Sequence, residues 1–255
     1  MNNNNKNVKT IQSVERSLTI LEQFTFSEKE IGLSELARRT GLKRTTCYGL
    51  AETLHIRGYL DFNRENSKYR LGIKTFELGQ IYSESLDLTR IAKPFLSELS
   101  GKYRQVVHLV VPDGFDAVYI DKVGESNSFR VRSSIGSTAK RFCTGVSKIV
   151  NAALSDDELE QALSLSINKY TENTIIEKDA YMDEIRKVRE NGYAIDMEEL
   201  EQGLACIAAP LTNYNKKTVG AISISGPTQL IGKYMENIVH DVRETAKQIS
   251  KQLGG

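Results

Sequence analysis

The most constraining feature of this chain is the run from residue 32 to 48, Gly-Leu-Ser-Glu-Leu-Ala-Arg-Arg-Thr-Gly-Leu-Lys-Arg-Thr-Thr-Cys-Tyr. A short amphipathic segment, with Leu33, Leu36 and Ala37 on one side and Arg38 and Arg39 on the other, runs into Gly41. Glycine there allows the left-handed turn that ends a helix. A second amphipathic segment follows at about 43–57, with Cys47, Leu50 and Leu54 as its apolar stripe. Ser34 is the expected cap of the first segment. Upstream, Ser13 opens a helix in which Val14, Leu18, Leu21 and Phe24, with Ile20, recur at three- and four-residue steps. Downstream, residues 59–62 and 68–71 are strand-like runs joined by the turn chemistry of Asn63–Ser67, a β-hairpin pattern. Three helices followed by a hairpin predict a winged helix-turn-helix.

In that arrangement one helix braces the next, whose N-terminus projects polar side chains into a major groove. Ser34, Lys43, Arg44, Thr45, Thr46 and Tyr48 are the expected contacts to base edges and phosphates. Arg64 and Lys68 on the hairpin are placed to meet the backbone or the minor groove. Charge agrees. Residues 1–72 hold twelve basic against eight acidic side chains, and the remainder 22 against 25, within totals of 34 and 33. The expected partner is double-stranded DNA.

The rest of the 255 residues must do something else. With 40% hydrophobic and 26% charged residues, the composition excludes an extended disordered chain or a collagen-like repeat. No apolar run is long enough to span a membrane, and the Asn-rich start lacks a signal-peptide core, so a cytoplasmic location away from membranes is expected. Cys47, Cys143 and Cys206 read as reduced thiols, with Cys47 a core filler. Residues 73–102 are helical in pattern, with Pro94 in a first turn or at a kink. They carry more apolar positions than an exposed connector needs, which suggests packing against a second copy. Strand-like runs at 106–111, 117–123, 129–132, 193–196, 204–211 and 218–225 then mix with helical ones at 145–154, 156–165, 177–191 and 232–253. Ser155 and Glu158 form a capping-box pattern. The expectation is an α+β domain.

In this second half, Ser223 and Ser225 are two apart on one strand and so share a face. Asp196 and Cys206 sit at the ends of other strands, among otherwise apolar residues. Buried hydroxyls need partners, and a small polar ligand would be one. The Gly145 and Val146 amides, at the start of a helix, suit a carboxylate. Asp196 would then accept from a ligand hydroxyl or hold a proton itself.

These runs carry a resemblance. Residues 12–21 (Gln-Ser-Val-Glu-Arg-Ser-Leu-Thr-Ile-Leu) and 32–60 resemble the opening helices of the IclR family of transcriptional regulators. Tyr69-Arg70-Leu71-Gly72 resembles the end of its wing, and Leu86-Asp87-Leu88 with Ala92-Lys93-Pro94-Phe95-Leu96 its linker. Residues 192–196, 206–210 and 222–227 resemble the marks of its C-terminal domain. The resemblance implies a winged helix-turn-helix at 11–72, a helical linker at 73–103 and a GAF-like α+β effector-binding domain at 104–255. It also implies a ligand-responsive regulator of a metabolic operon, more in the manner of a repressor. Its effector would be a small organic acid held by Gly145, Val146, Asp196, Leu204, Cys206, Ser223 and Ser225, and its assembly a homodimer or a dimer of dimers. The sequence departs from the family at Gly49-Leu50-Ala51, where Arg-Leu-Leu is common. It departs again at Val146-Ser147, where Ala and Gly are usual, and a bulkier Val146 would narrow the pocket. Two other readings compete: a metabolite sensor acting through protein contacts, and a hydrolase using Cys206, His108 and Asp196. No cysteine signature supports the second, so no catalytic residue, metal site or cofactor is expected.

Overall fold

The computed structural model describes residues 10–85, 87–124, 133–164 and 167–255. The strand expected at 129–132 and the Asn-rich tail lie outside them. The chain divides between residues 86 and 87 into two units, each with its own core.

In the first unit, α1 (Gln12–Leu21), α2 (Leu33–Thr40) and α3 (Arg44–Ile56) pack around Ile20, Leu36, Cys47, Ala51 and Leu60. Gly41 caps α2 at φ 66°, and Leu42 N–H returns to Ala37 O at 3.0 Å. The hairpin β2 (Leu60–Asn63) and β3 (Lys68–Leu71) gains a third strand, β1 (Ile31–Gly32), which pairs antiparallel with β3. Two residues are too few for a periodic signal, so this strand had no mark in the sequence. Glu30 fixes the wing turn, accepting from Asn63 Nδ2 at 3.2 Å and Asn66 Nδ2 at 2.6 Å. The helix α4 (Ile73–Ser85) completes the unit.

Two expectations are corrected here. Ser34 does not cap α2; Gly32 holds the cap position with no side-chain bond, and Ser34 lies exposed inside the helix. The apolar face of α1 turns inward at Ile20, whereas Val14 and Leu18 are 53% and 52% exposed.

The second unit is a five-stranded antiparallel sheet of order β5-β4-β8-β7-β6: β4 (Val106–Asp113), β5 (Asp116–Val123), β6 (Ala194–Met197), β7 (Leu204–Thr212) and β8 (Thr218–Pro227). Helices cover both faces. On one lie α5 (Asp87–Tyr103), α9 (Thr228–Lys233) and α10 (Met235–Gln252), packed on Val107, Leu109, Ile207, Ile222 and Ile224. On the other lies α6 (Gly145–Ala152), whose Val146, Ile149 and Val150 meet Val110, Ala208 and Ala221. Behind α6, α7 (Asp156–Leu163) and α8 (Lys178–Asn191) enclose Phe142, Leu159 and Tyr181. The Ser155–Glu158 capping box is formed. The segment 73–103 therefore divides. Leu88, Ala92, Leu96 and Leu99 of α5 are buried on the sheet, which accounts for the apolar positions at those residues without any second copy. The last helical run, 232–253, breaks at Tyr234 into α9 and α10. No helix among the described residues is long and apolar enough to cross a membrane.

Gly49 lies exposed in α3, with nothing within 4 Å of where a Cβ would stand. Gly49→Ala is expected to stabilise the fold by about 0.5–1 kcal/mol in urea unfolding, because the helix loses its most flexible residue. Gly41→Ala at φ 66° should destabilise it. A destabilised Gly49→Ala would mean that α3 does not continue through this position.

Candidate functional site

The start of α3 is built to face outward. Lys43 is its cap residue in extended conformation, and its carbonyl accepts the first helical bond from Cys47 N–H at 2.9 Å. Lys43, Arg44 and Thr45 are exposed, Thr46 is half-buried and Tyr48 is 52% exposed, while Cys47 between them is fully buried. The wing is locked to this helix by the Tyr69 hydroxyl, which donates to Glu52 at 2.8 Å. Arg64 and Lys68 stand exposed on that wing. Neighbouring cations are engaged elsewhere. Arg38 and Arg39 pair with Glu35, Arg39 also with Glu28, and Arg70 with Asp61. Among the described residues, Lys43, Arg44, Arg64 and Lys68 have no carboxylate within 4.0 Å. The unit thus spends its ion pairs on its frame and leaves the α3 end and the wing positive.

The second unit holds a cavity of about 410 Å3 against the α6 face of the sheet. Asp196, Leu204, Cys206 and Ser225 line it, as the sequence suggested. The register explains why: Asp196 lies opposite Cys206, and Cys206 opposite Ser225, so the three form one cross-strand row. Gly145, Val146 and Ser223 do not line it. Val146 packs into the apolar cluster beneath α6 and narrows nothing. Ser223, with Ser225 and the Gly145 N–H, bonds the Cys206 thiol, so the point where the two hydroxyls converge is occupied by sulfur. Gly145 eases this close approach: a Cβ there would lie 3.2 Å from both Cys206 Sγ and Ala208 Cβ.

Other walls carry no sequence mark as effector contacts; the sequence offers His108 only as a partner of Cys206 and Asp196 in the hydrolase reading. Thr144 lines the cavity and caps α6, its hydroxyl accepting the Ser147 N–H. The segment 133–140 contributes Ser133, Ser137, Thr138, Ala139 and Lys140; a loop contributes Tyr170, the turn after β6 Leu200 and Glu201, and the sheet His108 and Tyr119. Alternation on β4 was the available signal for His108, since it shares the α6 face with Val110.

Burial sets the protonation of this interior. Asp196 is 2% exposed, and desolvation pushes its carboxyl up to about 7, opposed by the backbone N–H groups of Glu199 and Leu200. The Glu199 N–H reaches Asp196 Oδ1 at 2.8 Å. Burial raises the Cys206 thiol to about 11 and Cys143 to about 12, and holds His108 down to about 3. A thiol that stays protonated beside an imidazole that stays neutral is the reverse of an activated Cys-His pair. Behind Asp196, Lys148 of α6 is 1% exposed and donates to Glu199, to Glu184 at 3.0 Å and to the Ile195 carbonyl at 2.8 Å.

A model of the IclR helix-turn-helix domain matches residues 13–64, and one of the bacterial transcriptional regulator IclR C-terminal domain matches residues 80–251. The chain belongs to the IclR family. Within it, the HTH-type transcriptional regulator XynR of Escherichia coli K12 is 35% identical over 246 residues, covering 96% of this chain and 98% of that one. The crystal structure of a putative transcriptional regulator from Rhodococcus sp. RHA1 matches with a TM-score of 0.81 at 32% identity, over 96% of this chain and 98% of the other. An IclR homologue from Microbacterium hydrocarbonoxydans, solved in complex with 4-hydroxybenzoate, shares the fold with a TM-score of 0.84 at 20% identity, over 94% and 98%. This IclR-family chain is accordingly a DNA-binding transcriptional regulator whose C-terminal unit is of the ligand-binding kind.

Lys148→Met is expected to cost about 3–5 kcal/mol in urea unfolding, because it strands the buried Glu199 carboxylate without its cation. A loss below about 1 kcal/mol would mean that the buried ion pair is not formed.

Proposed function

We propose that this chain represses transcription by binding a pseudo-palindromic operator, and that a small organic acid in the cavity of the second unit releases it. The observation that carries the reading is the coexistence, in one chain, of a cavity that Asp196, Ser225 and His108 help to line and a helix-turn-helix whose outward cations have no carboxylate partner among the described residues. Ser34, Lys43, Arg44, Thr45, Thr46 and Tyr48 meet the major groove, and Arg64 and Lys68 meet backbone or minor groove. A ligand that prefers one arrangement of the protein changes DNA affinity by linkage. The location is cytoplasmic, and the protein catalyses nothing; the protonated Cys206 thiol supports that.

The assembly is a homodimer or a dimer of dimers. Apolar residues of the first unit support it: Val14 and Leu18 on α1 at 53% and 52% exposure, and Ile73, Phe76 and Ile81 on α4 at 61–69%. A symmetric pair would bury these and place two recognition helices on one operator.

Arg44→Ala should weaken operator binding by about 1–3 kcal/mol and relax sequence selectivity, if Arg44 reads a base. Lys68→Ala should weaken specific and nonspecific DNA alike and flatten the salt dependence. Fluorescence-anisotropy titrations across salt concentrations check both; unchanged affinity in both variants would refute this docking.

In the cavity, the Asp196 carboxyl carries a proton and donates it to the ligand carboxylate, while Oδ1 keeps the Glu199 N–H. Around it, burial pushes Cys206 and Cys143 far up and His108 far down, and raises the Glu199 carboxyl against the pull of Lys148; Lys140 and Glu201 also line the cavity. Effector affinity should therefore be pH-independent below about 7 and fall about tenfold per unit above it. Asp196→Asn should remove that dependence and keep binding, as read by isothermal titration from about pH 6 to 8.5. A flat wild-type profile would overturn the shared proton.

A further inference from the structure

His108, from β4, is 2% exposed and lines the cavity. Its Nε2 lies 2.6 Å from the Ser133 hydroxyl. Its ring packs against Tyr119, with centroids 5.0 Å apart. The Ser133 carbonyl accepts the Lys122 ammonium at 3.0 Å. The His108–Ser133 pair is therefore held in place from the sheet and from the cavity wall. Its other ring nitrogen, Nδ1, is buried and has no hydrogen-bond partner among the described residues, and a buried polar atom without a partner is uncommon.

Two physical facts define what such a pair can recognise. Burial keeps the imidazole neutral, so it offers hydrogen bonds and no charge. An imidazole and a hydroxyl can each donate or accept, so together they suit a hydroxyl or a carbonyl. A carboxylate, which only accepts, is better served by the Asp196 carboxyl of β6, which burial holds toward its protonated form. His108 stands on β4, with β8 and β7 between it and β6. Three strand spacings amount to about 14 Å.

We propose that the effector carries, besides its carboxylate, an uncharged hydroxyl or carbonyl group roughly four bonds or more away, and that His108 with Ser133 is the specificity-determining subsite for that group. This rests on the cavity being the effector site. It excludes two- and three-carbon acids as full effectors, because an acid held at Asp196 is too short to reach β4.

The test is isothermal titration of the full-length protein with glycolate, 4-hydroxybutyrate, 6-hydroxyhexanoate and 4-hydroxybenzoate, each paired with its deoxy counterpart. In the wild type, at least one of the three longer hydroxy acids should bind about tenfold more tightly than its partner, and glycolate should show no such gain. His108→Leu should abolish the difference while leaving the deoxy acid's affinity within about twofold. Ser133→Ala, on a half-buried wall residue, should do the same if His108→Leu proves unstable, and His108→Gln should restore part of the discrimination. Acids that bind without any difference within a pair, or variants that keep the difference, would overturn this inference and leave the cavity reading standing. Failure of every acid to bind would overturn the carboxylate reading and this inference with it.

Discussion

The alternation of side chains along β7 and β8 is the constraint on which the second unit depends. Ile207, Ala209, Ile222 and Ile224 face α5, α9 and α10, and Cys206, Ala208, Ser223 and Ser225 face α6. The period of a strand is two, so a slip of one residue would drive hydroxyls into the apolar layer and isoleucines into the cavity. The pairing is therefore fixed by hydrophobic burial, and the polar floor of the cavity follows from it. The small residues on that floor matter as much: Ala208 and Gly145 let the start of α6 approach the sheet closely.

Electrostatics divides the two units by opposite means. In the winged unit, carboxylates are used on the frame, around Arg38, Arg39 and Arg70, while Lys43, Arg44, Arg64 and Lys68 have no carboxylate partner among the described residues. In the sheet unit, burial drives Asp196, Cys206 and His108 each toward its neutral form, and the deeply buried cation Lys148 is spent on Glu184 and Glu199 behind the wall. Neutral donors and acceptors on the cavity floor suit discrimination by shape and hydrogen bonding, whereas the exposed cations of the winged unit suit recognition by charge.

Much of this was legible in the sequence where physics is local. Gly41 needs a left-handed turn, Ser155 and Glu158 cap each other across three residues, and Cys47 falls on an apolar stripe; each is a short-range requirement and each is met. Ser34 misled because a serine near a helix start is a good cap only when the backbone turns at that residue, and here it turns at Gly32. The α1 stripe misled because periodicity marks a face without saying what covers it; Ile20 is covered within the unit and Val14 is not. Ser223 misled because its partner, the Cys206 thiol, comes from the neighbouring strand. The walls from 133–140, Tyr170 and Leu200 arrive from distant segments, and no local pattern encodes such meetings.

The central claim is that one chain links a ligand in the cavity to DNA at the helix-turn-helix. Linkage requires the two affinities to change by the same factor. The direct measurement is a closed cycle: operator affinity of the full-length protein with and without saturating ligand, and ligand affinity with and without saturating operator. Equal factors of roughly 5–150 are expected on both legs, with ligand weakening DNA binding and DNA weakening ligand binding. Operator affinity unmoved by a ligand that demonstrably occupies the cavity would contradict it.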